Sequence, residues 1–107
     1  MRIIARRTLI EFTARRSGQR NHAALQAALQ AWFQEVRTAE WRSPSDVKRS
    51  YATASIINAE RVVFNIKGNS YRLVGAIDYE RSIVWIKWIG THADYDRIDV
   101  ARVRHGD

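Results

Sequence analysis

The 107-residue sequence contains no cysteine, which excludes disulfide frameworks and thiolate metal sites. No segment approaches the ~20 consecutive apolar residues that a membrane-spanning helix requires. The amino-terminal stretch MRIIARRTLIEF is charged and lacks the continuous apolar run of a secretory signal. These absences fit a reducing compartment, and the chain is expected to be cytoplasmic, without membrane contact. Internal repeats, low-complexity tracts and long linkers are missing too, so one domain over residues 1–107 is expected. A chain of this length buries roughly 65% of its unfolded surface, enough for a core without covalent staples. P-loop, dinucleotide-binding and nucleophile-elbow patterns are also missing.

Carboxylates are the scarcer charged groups. Eleven Asp+Glu stand against 18 Lys+Arg, a net charge of +7 with pI near 10.6. Arginine, whose planar fork binds phosphate through two parallel hydrogen bonds, dominates the basic set. Nucleic acid is the leading partner class on charge. An ordinary basic surface, or one covered by an acidic protein, is the alternative.

Two halves differ in period. Met1 to Ala5 is short and β-branched, which suits an edge strand. Thr8 to Glu11 has capping-box spacing, which predicts a short helix to about Arg16 before SGQRN interrupts it. From about His22 to Thr38, Leu25, Ala28, Leu29, Trp32, Phe33 and Val36 form one apolar stripe at helical spacing, with Asn21 as N-cap. This stripe reads as core. Pro44 and Asp46 suit the first turn of a further short helix, and Trp41 is expected to pack on the core. Three runs of period 2 follow: Arg61 to Lys67, Ser70 to Ile77 and Ser82 to Ile89. Their short connections predict an antiparallel meander. The fold class is α+β, a small antiparallel sheet with helices packed on one face.

In FNIKGNSYRL (Phe64 to Leu73), Gly68-Asn69 predicts a primed turn that pairs Lys67 with Ser70, Asn65 with Arg72 and Val63 with Val74. Val62, Phe64 and Ile66 then share the core face with Tyr71, Leu73 and Gly75. Closing the next turn by two or four residues sets Arg72 opposite Lys87 and Val74 opposite Trp85. It adds Val84, Ile86 and Trp88 to the core face. Lys67, Arg72 and Lys87, with Asn65 and Trp85, would converge on the face away from the helices. Like charges across a sheet repel, and a bound phosphate would offset that cost. A solvated outer face is the plainer alternative.

The segment GTHADYD, Gly90 to Asp96, places His92 and Tyr95 three residues apart. Histidine exchanges protons near neutral pH, and cationic surroundings lower a tyrosine's pKa. Beside a cationic face such groups suit RNA cleavage, whose nucleophile is the ribose 2′-hydroxyl. A plain turn with Tyr95 packed on the last strand is the competing reading. Asp94, Asp96 and Asp99 read as an acidic helix start or solvated turn. His22 and His105 receive no role.

RVVFNIKGN-Y-RLV followed by IVWIKWIGTHADYDRID resembles the HigB-type toxins of bacterial toxin–antitoxin modules, within the RelE-like superfamily. The likeness extends upstream through AWFQEVRTAEWRSPSDVK; the charged tail from about Val100 adds nothing to it. The resemblance implies a helix-plus-antiparallel-sheet fold and an mRNA interferase, a metal-independent endoribonuclease acting on mRNA at the translating ribosome. It implies a HigA-type helix-turn-helix antitoxin as partner, with operator DNA bound only through that antitoxin, and no cofactor. Carried over by position, the catalytic set is Lys67, Arg72, His92 and Tyr95. Lys67, Arg72 and Lys87 would hold the scissile phosphate. His92 would act as general acid, and Tyr95 would assist as base or orient the nucleotide. Arg61, Asn65, Asn69 and Trp85 would contact neighbouring phosphates or stack on a base. A non-catalytic basic RNA- or ribosome-binding domain is the competing class.

Overall fold

The computed structural model describes residues 1–104 of the chain. His105 and the end of the charged tail lie outside the described residues. The elements are β1 (Arg2–Ile4), α1 (Arg6–Ala14), α2 (His22–Thr38), α3 (Pro44–Ser50), β2 (Ser55–Ile56), β3 (Arg61–Ile66), β4 (Tyr71–Asp78), β5 (Ile83–Thr91) and α4 (His92–Tyr95). The five strands form one sheet in the order β1-β5-β4-β3-β2. β1 runs parallel to β5 and every other pairing is antiparallel. The architecture is α+β.

The helix α2 follows its apolar stripe, burying Leu25, Leu29, Trp32 and Val36. Helix α1 departs from the capping-box expectation. It begins at Arg6, directly after Ala5 at φ 72. Thr8 is consequently inside the helix and buried, where its hydroxyl caps nothing. The amino terminus sets this entry: the Met1 ammonium donates to the carbonyls of Arg37 (3.1 Å) and Ala39 (2.7 Å), and β1 is zipped to β5. The chain must therefore reverse at Ala5. Burial of Leu9 and Phe12 then selects the helix face.

Helices and sheet meet around Phe64, which is fully buried. Trp32 and Tyr51 approach it edge-on, each at 5.3 Å between ring centroids, and Trp41 stacks at 6.0 Å. A side chain buried this completely is worth about 1.5–3 kcal/mol. Val62, Ile66, Tyr71, Leu73, Val84 and Ile86 complete the expected core face.

The first hairpin has the register its turn predicts, with Val63 opposite Val74 and Asn65 opposite Arg72. Ser70 N–H donates to the Lys67 carbonyl at 3.2 Å, and Gly68 sits at φ 62. The second register differs. The Asp78↔Ile83 pair closes the β4–β5 loop, and a bulge follows: Gly75 faces Ile86 while Val74 faces Trp88. Lys87 is left out of the ladder. Arg72 therefore stands opposite Gly90 rather than Lys87, and Ala76 rather than Val74 faces Trp85. One inserted residue reverses the alternation of faces. Trp88 thus leaves the expected core face and Ile89 takes its place, buried among the helix-facing residues.

The face away from the helices is not bare. Val63 and Val74 form a second apolar cluster there with Val103, packed by Ile57, Trp88, Tyr95, Ile98 and Val100. Residues that the sequence places in a charged tail thus cover part of the sheet.

Candidate functional site

Two local devices bring the candidate side chains to one end of the sheet. The β3–β4 turn holds Lys67 at φ 52, left-handed backbone uncommon for lysine. At the end of β5 the chain enters α4 at once, with the Thr91 hydroxyl accepting the Asp94 N–H at 3.1 Å. The His92 N–H donates to the Ser70 carbonyl at 3.0 Å, which ties this turn to the hairpin tip. Lys67, Asn69, Arg72, His92 and Tyr95 therefore share one end of the sheet.

Asn69 positions Arg72. Its side-chain oxygen accepts from Arg72 Nη2 at 2.6 Å, and its carbonyl accepts from Nη1 at 3.1 Å. A further contact runs from Nη1 to the Tyr71 carbonyl at 3.3 Å. Every acceptor is neutral, so the guanidinium is oriented without being neutralised. Among the described residues no ion pair engages Lys67, Arg72 or Lys87. Asn65 lies opposite Arg72 and directs its amide to the Thr53 carbonyl at 3.5 Å.

His92 is half-exposed, with Nε2 4.0 Å from Asp96 Oδ2. Tyr95 rests against Trp88, ring centroids 6.3 Å apart. Burial pushes the Tyr95 phenol above its ordinary value; the Arg72 charge opposes this and Asp96 reinforces it. The expected lowering by cationic surroundings is outweighed, because the ring packs under the C-terminal segment. Tyr95 therefore stays protonated at neutral pH and can donate a hydrogen bond. It is not a ready base.

Three expected contacts lie elsewhere. Arg61 is only 5% exposed, and its Nη1 donates to the carbonyls of Val103 (2.6 Å) and Val100 (3.5 Å). It holds the C-terminal segment and is not presented to a ligand. Trp85, paired with Ala76 and Ile4, stands toward the opposite end of β5. Lys87, at the bulge, no longer faces Arg72 across the ladder. Instead Trp88 and Gly90 join the site. An added Cβ at Gly90 would lie 2.4 Å from the Trp88 ring, so only glycine lets the indole lie across the strand here. A signal was available in the sequence. In VWIKWIG the core aliphatics fall at 84, 86 and 89, and a step of three in a period-2 strand marks a bulge. Among the described residues, Asp94, Asp96 and Asp99 join no group able to hold a metal ion.

A five-stranded, mostly antiparallel sheet backed by helices is consistent with the RelE-like toxin fold. The family model described as HigB toxin, RelE-like toxic component of a toxin–antitoxin system, matches residues 25–98. That is well over half of the chain, and the chain belongs to this family. It is a toxin of a toxin–antitoxin system, and its partner in such a system is an antitoxin. No curated protein matches the sequence. Among the described residues, no helix is long and apolar enough to cross a membrane.

Proposed function

We propose that this toxin is a metal-independent endoribonuclease that cuts mRNA on the translating ribosome. It works in the cytoplasm and is neutralised by a HigA-type helix-turn-helix antitoxin, through which alone it meets operator DNA. The observation that carries the reading is Arg72, aimed by Asn69 through neutral acceptors only, at the sheet end that holds His92 and Tyr95.

In this reading Arg72 and Lys67 grip the scissile phosphate and stabilise the negative charge that builds on it. The ribose 2′-oxygen bonds to phosphorus as the bond to the 5′-oxygen breaks. The 2′-hydroxyl proton passes to water, and His92 supplies a proton to the departing oxygen. Tyr95, protonated, orients the nucleotide. Asn65 and Lys87 serve the flanking backbone.

Mapping mRNA 5′ ends in cells that express wild type or His92→Ala tests this. New cuts with the wild type that vanish in the variant support the reading. Growth arrest without cuts would replace it with a non-catalytic RNA- or ribosome-binding domain, a reading that the raised Tyr95 phenol favours.

A further inference from the structure

Beyond Ile4, β1 no longer pairs with β5, and among the described residues no strand lies beside that edge of β5 from Ile86 onward. The end of α1 flanks that edge on one side and the chain after α4 on the other. Between them lies a cleft of about 460 Å³, within the range of ~300–1,000 Å³ usual for small-ligand sites. Arg15 and Arg16 line one wall and Arg97 the other, while Trp88 and Gly90 contribute the strand between them. A single carboxylate, Asp94, accompanies these three guanidinium groups.

The cleft is partly preset. The Arg16 guanidinium lies 4.5 Å over the Phe12 ring and donates to Gln19 Oε1 at 3.0 Å. Arg15 and Arg97 are exposed, and no ion pair holds either among the described residues. Trp88 lies across Gly90, which stands opposite Arg72 in the ladder, and it also touches Tyr95. The indole therefore belongs to both the cleft and the site at Arg72.

We infer that this cleft is a second nucleotide subsite, which stacks one base of single-stranded RNA on Trp88 and holds an adjoining phosphate between Arg15, Arg16 and Arg97. An indole flanked by guanidinium groups matches a ligand that is both flat and anionic, as each nucleotide is. An acidic peptide would use the arginines and leave the indole idle. The subsite rests on the RNA reading above and extends it along the strand, setting which neighbour of the cut position the protein grips.

The test uses 2′-O-methyl hexauridylate, which lacks the nucleophile and is not cut, titrated at several salt concentrations by fluorescence anisotropy. Arg15→Ala/Arg97→Ala, both at exposed positions, should bind about tenfold more weakly, with the log–log salt slope reduced by roughly 0.7 for each phosphate no longer neutralised. Trp88→Phe should weaken binding and leave the slope unchanged. Arg72→Ala reports separately on the RNA reading. If the Arg15/Arg97 variant keeps wild-type affinity and slope while Arg72→Ala weakens, the subsite is wrong and the reading stands. If that variant binds RNA normally but loses the antitoxin, the cleft is a protein-docking surface and the inference fails. Failure of the wild type to bind overturns the inference, whereas indifference to Arg72→Ala counts against the RNA reading at the Arg72 site.

Discussion

Arg61 Nη1 donates to the Val103 carbonyl at 2.6 Å, joining the start of β3 to the C-terminal segment that crosses the helix-free face. Among the described residues this buried guanidinium has carbonyl partners and no carboxylate, and its Nε has no hydrogen-bond partner, which makes it a costly group. It persists because it closes the second apolar cluster. Arg61→Ala should lower unfolding stability by about 2 kcal/mol and loosen the chain near Val103. Urea titration and amide exchange at Val103 check this. Wild-type values for both would show that the bond holds nothing.

Asn69 and Arg72 form one device, because the asparagine aims the guanidinium from within the hairpin turn. Arg72→Ala should abolish growth inhibition at matched expression, with unchanged circular dichroism. Asn69→Ala removes the Oδ1 acceptor and leaves the two main-chain carbonyls, so the guanidinium is held more loosely and toxicity should be partly lost. Full toxicity of Arg72→Ala would dismiss the phosphate site.

Gly90 and Trp88 predict a non-additive pair. A Cβ at position 90 would fall 2.4 Å from the indole, so Gly90→Ala alone should cost about 1–3 kcal/mol through overpacking. With Trp88→Ala already in place, the clash is gone and the added cost should shrink below about 0.5 kcal/mol. A thermodynamic cycle from denaturant melts measures the difference. Equal costs in both backgrounds would mean that the indole does not occupy this position.

Three phenols have raised pKa values in the folded chain: Tyr51, Tyr79 and Tyr95. Burial is the leading cause in each. For Tyr51, a hydrogen bond to Glu35 Oε2 and the charge of that carboxylate add to it. A raised folded-state value means that the native form keeps its proton longer than the unfolded form. The stability involved is fully present below about pH 10 and is lost as pH rises through the folded values. Unfolding free energy should therefore fall above pH 10, and less steeply in Tyr51→Phe. A slope unaltered by that substitution would contradict the assignment.

Much of this protein was legible in the sequence, because the signals are local. The apolar stripe of α2 repeats at 3.6 residues, and the two residues Gly68-Asn69 fix both the first register and the pairing of Asn65 with Arg72. The excess of arginine and the His92–Tyr95 spacing likewise needed no coordinates. What tertiary structure alone decided came from long-range packing. The amino terminus docked on the end of α2 moved the start of α1 to Arg6. The β4–β5 loop closed on the Asp78↔Ile83 pair, which slid Arg72 away from Lys87, and packing on the outer face took up Trp88 beyond the bulge that the step of three in VWIKWIG signals. Arg61 exchanged an expected ligand for two backbone carbonyls, because the C-terminal segment folds over β3 and buries it. Alternation along a strand follows from sequence only until one residue is inserted. Past that point, the face that each side chain takes is decided by what packs against it.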